Sequence, residues 1–217
     1  MNEGEVPYLD QGEGPPVVLL HGVSSSPSLW RNVLPMLSER TRVIAPDLTR
    51  VGPDLSRQTT QVRKLLDHLE VEEFAAAGHG AGGVIAELLA LEGGVRCLVL
   101  IDAGPVGQDG ERALHGAPDA EALARLEVPS LVIWGEEDPY LPIGEAERLA
   151  DALPHSTLVL LPGCGHFLPE EAPDTVGPLV SEFLRARYLG LPHAHDHAGA
   201  GPIPIELHRM RGPRGQA

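Results

Sequence analysis

Six short apolar runs that do not alternate with polar residues constrain the fold of this chain most strongly. They cover residues 17–20, 42–45, 74–77, 96–101, 131–134 and 158–161. Apolar residues at helical spacing lie between or after them, at 29–37, 59–69, 84–91, 143–152 and about 175–188. Such strands belong to parallel sheets that helices cover on both faces. The sequence therefore predicts a three-layer α/β fold with a mostly parallel sheet.

The segments that follow the strands carry most of the residues suited to chemistry. They read HGVSSS at 21–26, GHGAGG at 78–83, GEEDP at 135–139 and PGCGHF at 162–167. In a parallel sheet, binding sites form at the carboxyl ends of the strands. We therefore expect these four segments to meet at one edge of the sheet.

The order and spacing of these segments resemble those of the α/β-hydrolase superfamily over residues 6–189. Residues 29–48, LWRNVLPMLSERTRVIAPDL, are most similar to the branch of haloalkane dehalogenases, epoxide hydrolases and enol-lactone hydrolases. The resemblance implies a hydrolase that acts on a small ester, a lactone or a related carbonyl compound.

The resemblance places Gly80 at the position of the family's nucleophile. In the family, a G-x-nucleophile-x-G turn between a strand and a helix holds a Ser, Asp or Cys above the sheet. Here the turn reads GHGAG at 78–82. Glycine has no side chain that could attack a carbonyl carbon. We therefore expect reduced or atypical activity.

Other residues that could act as the nucleophile are poorly placed for that role. The serines at 24–26 lie in the loop after the first strand, to which the resemblance assigns part of the oxyanion hole. From this loop a hydroxyl would approach the carbonyl on the wrong side. Cys164 precedes His166 by two residues, but a catalytic thiolate needs an electropositive neighbour. Cys97 falls within a predicted buried strand and is expected in the core.

Asp138 and His166 match the acid and the general base of the family, each on the loop after its strand. In a catalytic triad, the carboxylate fixes the imidazole tautomer and stabilises the imidazolium. We expect the two side chains to be adjacent and to activate a water molecule. The alternative is a pair that descent has retained and that is now only structural.

The resemblance also implies an oxyanion hole and a substrate pocket. The backbone N–H groups of Val23 and Ala81 match the oxyanion hole. The residues that the resemblance assigns to substrate binding are His21, Gly22, Trp30 and His79. For Trp30 a core position is the alternative, because aromatic residues at helical spacing usually pack inside.

The predicted domain comprises residues 1–189, with a shortened lid at about 103–128 and a tail at 190–217. Members of this branch insert a helical cap after the strand that ends at Asp102. Here the interval is mostly polar and rich in turn residues, with room for one helix at 120–126. The fold is therefore expected to carry a minimal cap and an open, wet site.

The tail, residues 190–217, is rich in Gly, Pro and His and has no helical or strand period. Its tract of His193, His195, Asp196 and His197 could bind Zn²⁺ or Ni²⁺. We expect a solvated tail instead, since it offers no preformed ligand geometry. No metal and no cofactor are assigned.

The composition excludes several classes of protein. The formal net charge of −15 argues against a nucleic-acid partner. No apolar run reaches the roughly 20 residues of a membrane span, and the first residues do not read as a signal peptide. Two cysteines cannot form a disulfide framework, so a cytoplasmic location is expected.

Three interpretations remain open. The first is a hydrolase in which His166 activates water, with a small molecule as its partner. The second is a non-catalytic relative that binds a ligand or another protein. The third is an ordinary enzyme inactivated by an introduced Gly80, which would leave the short lid unexplained.

Overall fold

The structure is a computed structural model that describes residues 6–23, 25–104 and 116–190. It contains a seven-stranded sheet of order β1-β3-β2-β4-β5-β6-β7, in which β1 runs antiparallel to β3 and the other pairs are parallel. The strands are β1 (Tyr8–Gln11), β2 (Pro16–Leu20), β3 (Arg42–Pro46), β4 (Phe74–His79), β5 (Val95–Ile101), β6 (Ser130–Gly135) and β7 (Ser156–Leu161).

Helices follow most of the strands. They are α1 (Leu34–Leu37), α2 (Leu55–His68), α3 (Ala81–Glu92), α4 (Ala120–Leu123), α5 (Ile143–Ala152), α6 (Leu168–Glu171) and α7 (Pro173–Arg187), and a 3-10 turn covers Pro27–Trp30. None of the described helices is long and apolar enough to cross a membrane.

Two hydrophobic clusters, one on each face of the sheet, confirm the predicted three layers. One includes Leu66 of α2, Ile85 of α3 and Leu149 of α5. The other includes Leu37 of α1 and Val180 of α7. Central strands such as β4 are buried along their whole length, which explains their continuous apolar sequence.

The structure corrects two predicted elements. Residues 29–37 do not form one helix, because the 3-10 turn at Pro27–Trp30 ends before the short α1, which has a proline in its first turn. The strand β1 was missed, because all four of its side chains are exposed and leave no apolar pattern.

The predicted lid lies partly outside the described residues, as do residues 191–217 of the predicted tail. Within the described part, residues 116–128 contain the single turn of α4 rather than a helix over 120–126. Asp119 caps α4 by accepting a hydrogen bond from the N–H of Ala122 at 2.8 Å.

Candidate active site

The carboxyl edge of the sheet brings together the segments that follow β2, β4, β6 and β7. A Cβ atom built on Gly80, after β4, would lie 3.7 Å from Cα of Gly22, after β2. The same atom would lie 3.6 Å from Nε2 of His166, after β7. His166 in turn contacts Asp138, after β6. The predicted meeting of the four segments is confirmed.

His166 and Asp138 form a hydrogen-bonded pair, as expected. Nδ1 of His166 lies 2.7 Å from Oδ2 of Asp138, and the two side chains are 11% and 1% exposed. The other carboxylate oxygen accepts hydrogen bonds from the N–H groups of Tyr140 at 2.8 Å and Leu141 at 3.0 Å. The loop after β6 thus holds the carboxylate in one orientation. The catalytic roles of the two residues stay predictions.

The ionised carboxylate of Asp138 fixes the tautomer of His166. Burial alone would raise the pKa of Asp138, but the hydrogen bonds from His166, Leu141 and Tyr140 outweigh it and lower the pKa below its ordinary value. Asp138 is therefore ionised near neutral pH and can only accept. Nδ1 of His166 must carry the proton, so a neutral His166 has its lone pair on Nε2, facing Gly80.

Gly80 forms a sharp turn between β4 and α3. Its φ is 55° and its ψ is −126°, a conformation that residues with side chains rarely adopt. Its N–H donates to the carbonyl of Ile101 at 3.1 Å, and its carbonyl accepts from the N–H groups of Gly83 and Gly104. The turn is therefore anchored through main chain alone, and a side chain at position 80 would point toward His166.

The last glycine of the turn is required by close packing. A Cβ atom built on Gly82 would lie 2.2 Å from the carbonyl oxygen of Leu20 in β2. Real Cβ atoms do not approach a backbone oxygen so closely. The helix α3 can therefore begin directly against β2 only with glycine at this position.

Two backbone N–H groups border the space above Gly80. Ala81 is the first residue of α3, so its N–H has no partner within the helix. Neither this N–H nor that of Val23 donates to a described backbone or side-chain acceptor. Both can serve an oxyanion, and this role stays a prediction.

His21 and His79 are buried and form hydrogen bonds with backbone groups, and their assignment to substrate binding stays a prediction. The buried His21 accepts a hydrogen bond from the N–H of Leu48 at 3.0 Å through Nε2. The buried His79 donates through Nε2 to the carbonyl of His166 at 2.7 Å. Burial lowers the pKa of His79 to about 3, so the ring is neutral. This hydrogen bond of His79 holds the backbone of His166 in place.

The position of Trp30 fits the core alternative, and its assignment to substrate binding stays a prediction. Its side chain is 1% exposed and packs in the cluster under α1 and α7. Gly22 has no side chain to offer, and a Cβ atom there would lie 3.3 Å from Nδ1 of His79. The residues that do flank His166 are Tyr140 and Phe167, whose ring centroids lie 5.2 Å and 5.1 Å from its own.

Asp102, at the end of β5, is a buried carboxyl that the sequence reading did not assign. Its Oδ1 accepts from the N–H of Gly135 at 2.9 Å, and its Oδ2 has no hydrogen-bond partner among the described residues. Burial raises the pKa of Asp102 to about 9, so the group is neutral at pH 7. A polar residue at the end of an apolar strand was the available signal.

Three side chains are close enough to hold a metal ion in the described part of the chain. One ligand atom of each of His79, Asp102 and His166 lies within 4.8 Å of the others. His166 is already hydrogen-bonded to Asp138, and His79 is hydrogen-bonded to the carbonyl of His166. The absence of a metal or cofactor stays a prediction.

The cysteines do not supply a nucleophile. Cys97 is buried in β5, and burial raises the pKa of its thiol to about 12. Burial and the nearby carboxyl groups of Glu171, Asp102 and Glu137 also raise the pKa of Cys164. Both residues therefore stay thiols at neutral pH. Of the serines at 24–26, Ser24 lies outside the described residues.

Two family models match most of the chain. One, described as "Alpha/beta hydrolase family", matches residues 17–121, and one described as "alpha/beta hydrolase fold" matches residues 116–173. Together they span the turn at 78–82, the loop that begins at His21, Asp138 and His166.

Individual relatives agree with the family models. An uncharacterized hydrolase of Bacillus subtilis (strain 168) is 26% identical, with 78% of this chain and 89% of the relative covered. Haloalkane dehalogenase 2 of Mycobacterium bovis is 24% identical, with 83% and 92% covered. A solved alpha/beta hydrolase from the metagenome of sediments from the lagoon of Mar Chica, Morocco, is 24% identical, with a TM-score of 0.76 and coverage of 86% and 98%.

Proposed function

Because the chain belongs to the α/β-hydrolase superfamily, we propose that it hydrolyses a small ester, a lactone or a related carbonyl compound without a covalent intermediate. The observation that carries the proposal is the orientation of His166, whose Nε2 faces Gly80 while its Nδ1 contacts Oδ2 of Asp138 at 2.7 Å. A water molecule between Nε2 and the substrate carbonyl would take the place of a side-chain nucleophile.

The reaction would run as a single displacement. Water attacks the carbonyl carbon while Nε2 of His166 accepts its proton, and the N–H groups of Val23 and Ala81 stabilise the oxyanion. The tetrahedral intermediate then expels the alkoxide, which takes the proton back from His166. The products are a carboxylic acid and an alcohol, and the enzyme returns to its starting state.

Two features predict modest rates. The attacking group is a water that must be positioned, whereas a bonded nucleophile is already in place. The short lid would leave the site wet, which weakens electrostatic stabilisation. The alignment with the Bacillus relative spans 244 positions but takes in only 78% of this chain, so the relative carries residues that this chain lacks.

A panel of variants tests the mechanism. The native chain, His166→Ala, Gly80→Ser and Gly80→Asp are assayed on p-nitrophenyl esters, lactones, epoxides and haloalkanes. We expect ester or lactone hydrolysis by the native chain and a loss of about 100-fold in His166→Ala. His155→Ala is the matched control, because His155 is exposed and pairs with Glu127 away from the site.

The other outcomes decide between the remaining interpretations. Hydrolysis that arises only in Gly80→Ser or Gly80→Asp would mean that the native chain is catalytically silent. Inactivity of all four proteins would refute the hydrolase and favour the alternative, a module that binds a ligand or a protein. Gly80 and the predicted short lid favour this alternative.

A further inference from the structure

His21, the residue directly after β2, has both ring nitrogens in contact with backbone groups. The N–H of Leu48 donates to its Nε2 at 3.0 Å, so Nε2 must keep its lone pair. Its Nδ1 lies 2.8 Å from the carbonyl oxygen of Gly22. Because a carbonyl oxygen only accepts, Nδ1 carries the proton and donates it to Gly22. The two contacts therefore specify one tautomer of a neutral imidazole.

The surroundings of His21 keep the ring in this neutral state. The residue is 4% exposed, and burial lowers its pKa, so the ring carries no charge near pH 7. Oδ1 of Asp47 lies 4.0 Å from Nε2 and already accepts hydrogen bonds from the N–H and the hydroxyl of Thr49. A proton on Nε2 would also oppose the N–H of Leu48. The donor on Nδ1 is therefore fixed.

The carbonyl that His21 holds belongs to the same peptide unit as the N–H of Val23. This unit is planar and trans, so its C=O and N–H point in opposite directions. The carbonyl also accepts from the N–H of Ser25 at 3.2 Å. Two donors thus fix the rotation of the peptide and leave the N–H of Val23 on its opposite side, where it donates to no described acceptor.

This peptide unit lies against the candidate reaction centre. Cα of Gly22 is 3.7 Å from a Cβ atom built on Gly80, which in turn faces Nε2 of His166. A backbone donor stabilises an oxyanion best when its direction is set before the reaction begins. A loop peptide without an anchor on its carbonyl would be free to rotate and would lose that direction.

From these contacts we propose that His21 is a positioning residue, whose Nδ1–H holds the carbonyl of Gly22 so that the N–H of Val23 stays directed at the oxyanion. The inference rests on the proposed hydrolysis and needs no contact between His21 and the substrate. The N–H of Val23 gains most when the carbonyl oxygen becomes an anion. Loss of the anchor should therefore lower kcat and leave KM nearly unchanged.

Two conservative variants separate the two hydrogen bonds of His21. The amide of Asn reaches about as far as Nδ1, so His21→Asn can still donate to Gly22 but loses Leu48. The longer Gln reaches about as far as Nε2, so His21→Gln can accept from Leu48 but loses Gly22. On benzyl acetate, we expect kcat to fall about 10- to 100-fold in His21→Gln and less than about threefold in His21→Asn. His68→Gln, at an exposed histidine in α2, should match the native chain.

Two unreactive ligands test the same point without hydrolysis. Benzyl methylphosphonate has the tetrahedral, anionic centre of the intermediate, whereas benzylacetone has the planar, neutral carbonyl of benzyl acetate. By calorimetry, we expect the native chain and His21→Asn to bind the phosphonate more tightly than the ketone. The ratio of the two dissociation constants should fall about tenfold or more in His21→Gln.

These measurements distinguish the inference from the proposed function. A phosphonate preference that only His21→Gln loses, in a chain that hydrolyses no ester, would support the positioning by His21 and overturn the hydrolase. Ester hydrolysis with the same kcat in His21→Gln as in the native chain would overturn the positioning alone. Equal losses in His21→Asn and His21→Gln would show that the histidine only stabilises the loop. Equal affinity of the native chain for both ligands would also overturn the inference.

The tautomer of His21 is measured in the native chain, so this last test does not depend on the folding of a variant. Nitrogen NMR of the chain labelled at histidine should show a protonated Nδ1 and an unprotonated Nε2 for this ring. The signal is assigned by its loss in His21→Asn. A proton on Nε2 instead would overturn the inference, because Nδ1 could then not donate to the carbonyl of Gly22.

Discussion

The turn after β4 and the loops after β6 and β7 meet at the candidate site but contribute different groups to it. The loops present two polar side chains, Asp138 and His166, in hydrogen-bonded contact. The turn presents only main chain, because Gly80 occupies the point that faces His166. The difference teaches that the backbone geometry of the turn does not depend on a side chain at position 80, because backbone hydrogen bonds alone hold it.

The largest effect is expected where the turn depends on close packing. Gly82→Ala should destabilise the protein by about 3 kcal/mol or more, because the new Cβ would overlap the carbonyl oxygen of Leu20. Chemical denaturation measures this loss. Gly144→Ala in α5 is the matched control, since its Cβ would meet nothing within 4 Å. It should be neutral or stabilising by about 0.5–1 kcal/mol. Equal losses in both variants would contradict the packing argument.

The second largest effect tests whether the hydrogen-bonded side chains of Asp138 and His166 act in catalysis. Asp138→Asn should lower kcat/KM for an ester about 30-fold or more, because the amide no longer fixes the imidazole tautomer or stabilises the imidazolium. Glu137→Gln, an exposed neighbour, serves as the control for lost charge. Kinetics together with melting temperatures separate catalysis from stability. Unchanged kinetics in Asp138→Asn would show that the pair is structural.

A third effect concerns pH and the buried Asp102. With a folded pKa of about 9, Asp102 keeps its proton between about pH 4 and 9, where the unfolded chain has lost it. Stability contributed by this group therefore falls as pH rises through that window. Asp102→Asn binds no proton and should lose this slope. Melting temperatures of the two proteins, compared at pH 5 and pH 9, should differ in their pH dependence by on the order of 5 °C.

Glu87 in α3 is a second buried carboxyl group whose effect on the pH dependence of stability can be tested independently. Burial raises the pKa of Glu87 to about 8, so Glu87→Gln should flatten the loss of stability with rising pH in the same direction. If the melting temperatures of both variants and of the native chain changed equally with pH, this result would contradict the buried, neutral state of these carboxyl groups.

The smallest effect sharpens the comparison at the turn itself. Gly80→Ala should cost about 1–3 kcal/mol, since its Cβ meets no atom closer than 3.6 Å and the cost comes only from the backbone conformation, with φ 55° and ψ −126°. Denaturation of this variant beside Gly82→Ala gives the measurement. A loss as large as that of Gly82→Ala would mean that position 80 cannot accept a side chain.

The fold was largely predictable because buried strands and their following loops leave direct signals. The core strands appear as apolar runs, and the family resemblance located the contact between Asp138 and His166. The strand β1 was not predictable, since it is held by backbone pairing with β3 and buries no side chain. The backbone hydrogen bonds of His21 and His79 were not predictable, because a histidine that bonds backbone and one that contacts a ligand look alike in sequence. The burial of Trp30 could not be decided either, since both a pocket wall and a core explain an aromatic residue.

Gly80 also determines which reagents can detect this protein. Fluorophosphonates and related probes label hydrolases by forming a bond with an activated serine, and they require a nucleophile at the position that Gly80 occupies here. A chain that hydrolyses its substrate through water would turn over without ever becoming labelled. Surveys that identify hydrolases by covalent capture would therefore pass over proteins built in this way, whatever their activity on the natural substrate.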